Sequence, residues 1–169
     1  MVKKTIKNLM DKLSISSLSS KDRIDHELDS TDPKHEFLEK FCSQNKIESF
    51  FEIGTMEGKS LKKVVENSPS LVRVGSCDTW QNLYKGTPRG NHNHIVKLMD
   101  YLKYDGEIEF FDGESHEILP NINTLEEHKE QYDLVLINGE KSSEDDVQNL
   151  VDCWPLVKPG GVIIFDNIG

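Results

Sequence analysis

Apolar residues fall along this chain in short unbroken runs, separated by stripes of helical spacing. Ser49-Phe50-Phe51-Glu52-Ile53 is one such run, stopped by Gly54, and predicts a buried strand. Leu71 to Cys77, Glu107 to Phe111, Leu134 to Ile137 and Val162 to Phe165 predict four more. The uninterrupted Leu134-Val135-Leu136-Ile137 indicates burial on both faces of a sheet. Between the runs, Lys59 to Glu66 suits a helix, and Ile95, Leu98, Met99 and Leu102 recur at i, i+3, i+4 and i+7. Val147, Leu150, Val151 and Trp154 repeat that stripe, which assigns Trp154 to the core. Upstream, Thr31-Asp32-Pro33 supplies a helix start, with Phe37, Leu38, Phe41 and Cys42 on one face. Lys158-Pro159-Gly160-Gly161 reads as the turn that launches the last strand. The alternation predicts an α/β fold: a Rossmann-like parallel sheet with helices on both faces and right-handed crossovers.

The first thirty residues differ in kind. Ile6, Leu9, Met10 and Leu13 share a helical face among lysines, and Ser14 to Arg23 is serine-rich. Residues 1–30 are therefore expected to be a basic amphipathic segment with a linker, docked on its own domain or on a partner subunit in preference to a membrane surface, and residues 31–169 the α/β domain. The last strand is followed by only a few residues, without an antiparallel strand pair, so its apolar edge needs cover. The N-terminal segment, a second copy in a homo-oligomer or a longer parent chain would each supply it.

Charge and composition narrow the partners. A net charge of −10 opposes a nucleic-acid backbone as the main ligand, although a small anion in a locally positive pocket is compatible with it. No apolar stretch approaches the roughly 20 residues of a membrane span, and the N-terminus lacks a signal-type apolar core. Cys42, Cys77 and Cys153 are odd in number and without metal-type spacing, which suits reduced core thiols in the cytoplasm.

Chemistry is expected beyond the carboxyl ends of the strands, where open α/β sheets bind ligands. Glu52, Asp78, Asp112, Asn138 and Asp166 each close an apolar run there. The first run continues as Gly54-Thr55-Met56-Glu57-Gly58-Lys59-Ser60, where two glycines allow a tight turn just before a helix N-terminus. Met56 stands where a dinucleotide loop has its middle glycine, so close passage of a pyrophosphate is disfavoured.

This loop resembles the acidic-x-Gly-x-x-x-Gly motif of class I S-adenosylmethionine-dependent methyltransferases. Cys77-Asp78-Thr79-Trp80 is similar to that family's ribose site, and Asp112-Gly113-Glu114-Ser115 to its adenine segment. Leu156 to Val162 is similar to its Leu-x-Pro-Gly-Gly turn. The resemblance covers about Phe50 to Asn167 and implies that Glu52, Gly54, Thr55, Gly58, Ser60, Asp78, Thr79, Trp80, Gly113, Glu114 and Ser115 hold S-adenosylmethionine.

A finer resemblance, from Tyr132 to Asn167, is to small-molecule O-methyltransferases of the catechol, caffeoyl-CoA and macrocin type. In metal-dependent members the aspartate after the fourth strand and the pair after the fifth bind a divalent cation such as Mg²⁺. Those positions are Asn138, Asp166 and Asn167 here, a set with one anionic ligand fewer but still three oxygen donors. Lys141 takes the place of a frequent histidine and is a candidate base or an anchor for an anionic group. The catalytic set implied is Asp166, Asn138 and Lys141, acting on a hydroxyl of a small molecule such as a sugar or polyol. Two rivals stand beside this reading. One is a related module that binds the cofactor without turnover, favoured by Asn138; the other is a nucleotide-sugar or dinucleotide enzyme on the same sheet. His92 and His94 read as solvated loop residues, and His116 as a helix cap.

Overall fold

The structure, a computed structural model, describes residues 32–80, 83–84, 87–88, 90–138 and 143–166. The basic segment and linker of residues 1–30 lie outside these.

Helix α1 spans Pro33–Gln44, and its start is set by Asp32, whose side chain accepts the Lys34 backbone N–H at 2.9 Å. Strand β1 (Ser49–Ile53) leads through the glycine loop into α2 (Lys59–Asn67), and β2 (Arg73–Asp78) follows. A two-residue antiparallel pair, β3 (Leu83–Tyr84) and β4 (Thr87–Pro88), precedes α3 (His92–Tyr101). Then come β5 (Glu107–Asp112), α4 (Ser115–Ile122), β6 (Tyr132–Ile137), α5 (Ser143–Cys153) and β7 (Val157–Phe165).

The main sheet is wholly parallel, in the order β5-β2-β1-β6-β7. Chain order reverses between β1 and β6, so the strand ends there open a crevice. Each residue of Leu134–Ile137 is fully buried, worth about 2 kcal/mol apiece. One face of the sheet packs Phe50, Val74, Leu134 and Leu136 against Leu38, Leu61, Val64 and Ile95 of α1, α2 and α3. The other packs Phe51, Val135 and Ile137 against Leu119 of α4 and Cys153 of α5. Edge strand β5 carries exposed charges, Glu107, Glu109 and Asp112, which discourage pairing with another sheet.

Three expectations are corrected. Val147, Val151 and Trp154 are exposed, Trp154 at 72%, because α5 turns Asn149 and Cys153 inward instead. The helix stops at Cys153, and a 3₁₀ turn (Trp154–Leu156) buries Leu156 in Trp154's stead. Phe37 is likewise exposed, stacked on Phe41 along the outside of α1 at 5.9 Å. Lys158 to Gly161 is not a free turn but part of β7. Tyr132 pairs with Val157 and Leu134 with Val162, so five steps on β7 face two on β6, a bulge that Gly160 enters at φ +85°.

Candidate functional site

The glycine loop is shaped by the protein's own backbone. A Cβ on Gly54 would stand 2.1 Å from the Asn138 carbonyl oxygen, and φ is +79°. Gly58, at φ +80°, is the N-cap of α2 and lies against Leu98 and Ile95 of α3. Between them Met56 is also left-handed, and its N–H donates to Asp78 at 2.9 Å. Close approach therefore serves β6 and α3 as well as any ligand. Thr55 is buried and shares a hydrogen bond of 2.7 Å with Ser76 of β2.

Glu52 is 1% exposed, and neither carboxylate oxygen has a hydrogen-bond partner. Burial pushes its pKa up to about 8; Lys34 pulls the other way, Asp78 adds to the rise, and the hydroxyls of Thr55 and Ser60 lower it. Such a buried, unpaired carboxyl invites a cationic ligand. Asp78 closes the adjoining strand at the same end of the sheet, accepting from Met56 and from the Trp80 N–H at 3.0 Å.

Beyond Asp78, the Gly113 N–H donates to the Asp78 carbonyl at 3.0 Å, drawing the end of β5 to that of β2. Trp80 sets its ring edge-on to His92 and Phe110, at 4.8 and 5.6 Å, and its buried indole N–H has no partner. His92 stacks on Phe110 at 4.2 Å and bonds Asp112 at 2.8 Å; His94 bonds the Glu57 carbonyl at 3.1 Å. Both histidines thus have fixed partners in the first turn of α3, not loop positions. Glu114 is the N-cap of α4, Ser115 its buried first residue, and His116 lies within 4.0 Å of Glu117.

At the ends of β6 and β7 the structure joins Asn138 and Asp166 through a third residue. The Lys34 ammonium donates to Asn138 Oδ1 at 3.1 Å and forms an ion pair with Asp166. The Asn138 amide donates in turn to the Gly54 carbonyl at 3.2 Å. Next to Lys34, His35 is buried, with Nε2 3.3 Å from the Ser60 hydroxyl, which holds α1 against α2. Burial and the nearby Lys34 charge keep its imidazole pKa low. The sequence reading missed Lys34; its one signal was a cation in the first turn of a helix, where the macrodipole opposes it. Lys141 and Asn167 lie outside the described residues.

A family profile described as a methyltransferase domain matches residues 51–168. The chain belongs to the methyltransferase domain family. Solved structures of similar fold include an O-methyltransferase family protein from Burkholderia thailandensis, at 17% identity and a TM-score of 0.59 over 86% of this chain and 40% of that one. The O-methyltransferase TomG from Streptomyces achromogenes, in complex with SAM, is 18% identical, at 0.64 over 86% and 62%. An O-methyltransferase from Bacillus cereus, in complex with SAH, is 18% identical, at 0.60 over 97% and 66%. This chain thus spans less than two thirds of the length of each of the three. No curated protein matches it.

The methyltransferase domain's cofactor suits what lies beneath the loop: an unpaired buried carboxyl for a cationic amino-acid sulfonium, and an aspartate on the next strand for a sugar. A divalent cation does not suit the ends of β6 and β7. An ion about 2.1 Å from Asn138 Oδ1 would lie within about 5 Å of the Lys34 ammonium. At an effective dielectric of about 20 that repulsion is roughly 7 kcal/mol. Among the described residues, no cluster of three or more His, Cys, Asp or Glu is arranged to hold a metal. No described helix is long and apolar enough to cross a membrane.

Proposed function

We propose that this chain carries the cofactor site of an S-adenosylmethionine-dependent methyltransferase that acts on an oxygen of a small molecule, the sugar and polyol class included. The observation that carries the reading is Glu52, a carboxyl buried in β1 at the strand-order switch with no hydrogen bond of good geometry, next to Asp78 at the end of β2. When bound, S-adenosylmethionine supplies an activated methyl on a sulfonium. The residues' work is to bind and orient: Glu52 faces the amino-acid part, with Gly54, Thr55, Gly58 and Ser60 around it. Asp78 and Thr79 take the ribose, and Trp80, Gly113, Glu114 and Ser115 border the adenine. Asn138 and Asp166 stand on the acceptor side, and Lys141 is assigned there from the sequence alone. Holding oxygen, methyl and sulfur in line is the main source of rate.

Cys42, Cys77 and Cys153 are buried and form no disulfide, which supports a reducing compartment such as the cytoplasm. Calorimetry with S-adenosylmethionine, adenosylhomocysteine and NAD tests the assignment. Preferential binding of NAD overturns it. A second reading, a module that binds the cofactor without turnover, is favoured by Asn138 at a position where the resemblance expects an acid. Tight adenosylhomocysteine binding with no methyl transfer to any acceptor in a hydroxyl and carboxylate panel would select it.

A further inference from the structure

The ends of β6 and β7 are built around an organic cation. We propose that Lys34 is the resident cation of this site, replacing a divalent ion, and that it receives an anionic oxygen of the acceptor, a carboxylate or an ionised phenol.

Three observations carry this. First, Lys34 is placed by structure, not by chance reach. Asp32 and Pro33 fix the start of α1, the His35–Ser60 contact seats that turn on α2, and the Lys34 side chain is only 14% exposed. Second, Asn138 has a use that aspartate cannot fill. Its oxygen accepts from Lys34 while its amide nitrogen donates to Gly54, so the residue that weakens a metal site is the one that completes this network. Third, the donors add up. An ammonium has three N–H groups; Asn138 and Asp166 take two, which leaves one for a ligand oxygen. An oxygen that carries charge and no proton is its best partner.

Transfer to such an oxygen balances without metal or base. The oxygen's electron pair forms the O–C bond as the C–S bond breaks and returns its pair to sulfur. The acceptor's negative charge and the sulfonium's positive charge vanish together, and no proton moves. The acceptor part rests on the methyl-transfer reading; the cation part does not.

The test uses the full chain, with Mn²⁺ alone as the metal probe and benzoate as the anion probe. Wild type should bind Mn²⁺ no tighter than about 1 mM, whereas the double variant Lys34→Met, Asn138→Asp should gain at least about tenfold. Wild type saturated with adenosylhomocysteine should bind benzoate, and Lys34→Met should weaken that at least about tenfold while Lys34→Arg keeps most of it. Cooperative urea unfolding of Lys34→Met, with a slope like that of wild type, reports that the fold persists. Mn²⁺ binding below about 100 μM by wild type overturns the cation assignment without any variant. Benzoate binding that is absent from wild type, or unchanged in Lys34→Met, overturns the anionic-oxygen assignment. Failure of adenosylhomocysteine to bind wild type would instead strike the methyl-transfer reading, and the Mn²⁺ comparison would still decide the role of Lys34.

Discussion

The carboxylate of Asp78 accepts the backbone N–H of Met56 at 2.9 Å, so the end of β2 holds the middle of the loop that follows β1. Met56 is left-handed there at φ +53°, a conformation that non-glycine residues adopt only at some cost. The same carboxylate accepts from Trp80 on its other oxygen. Asp78 thus clasps the loop after β1 to the segment after β2.

Replacing Asp78 with alanine leaves both N–H groups without that acceptor. Hydrogen bonds to a charged group are worth about 1.5–3 kcal/mol each, so Asp78→Ala should weaken adenosylhomocysteine binding by at least about tenfold. It should also lower the melting temperature of the free protein. Calorimetry and thermal unfolding measure the two losses separately.

Cofactor binding should depend on pH through Glu52. Its folded pKa is raised to about 8, so the free protein at neutral pH holds it mostly protonated. A ligand that needs the ionised form should bind almost tenfold tighter per pH unit between about 6 and 8, then level off. For stability the sign is opposite: a raised carboxyl pKa favours folding at low pH, and that advantage is lost as pH rises through about 8. Glu52→Gln should flatten both profiles. A wild-type affinity that is flat from pH 6 to 8 would remove Glu52 from the binding site.

Asp133 should behave in the reverse sense. Its carboxylate accepts from the Glu48 and Ser49 N–H groups at 2.8 and 3.0 Å and from Lys158 at 2.9 Å, which joins β1, β6 and β7. Burial raises its pKa, but the bonds from Lys158, Glu48 and Ser49 outweigh it and leave the pKa below the ordinary carboxylate value. The stability it contributes is present above pH about 4 and is lost as pH falls through the lowered folded value. Asp133→Ala should cost about 2–4 kcal/mol in urea at pH 7, and that cost should shrink as pH falls through the lowered folded value.

Two glycines of positive φ separate strain from collision. Gly160→Ala meets nothing within 4 Å and should cost only about 1–2 kcal/mol of left-handed strain. Gly54→Ala drives a Cβ into the Asn138 carbonyl and should cost more than about 3 kcal/mol, with loss of adenosylhomocysteine binding. Urea midpoints of the two variants would show the ranking.

Strands were legible because burial on both faces fills the middles of β1 and β6 with apolar residues, against which a polar residue one place before or after the strand end is conspicuous. That is why Glu52 and Asn138 stood out. α5 misled for a related reason: Val147, Val151 and Trp154 repeat at core spacing, yet helical periodicity names a stripe without saying which neighbour covers it. The role of Lys34 was not legible, although its place in the first turn of α1 was. Its meaning comes from Asp166, 132 positions away, and no local pattern encodes a partner at that distance.

The distance has a kinetic side. β1 must find β6 across some eighty residues, in the register Phe50 to Leu134, and the ion pair from α1 to the end of β7 closes a longer loop still. Topologies so rich in remote contacts order slowly, because chain entropy is surrendered before remote pairs return anything. The junction of Lys34, Asn138 and Asp166 therefore forms only once the ends of α1, β6 and β7 have met. A fluorescent probe of that junction would time the meeting of those three ends during refolding.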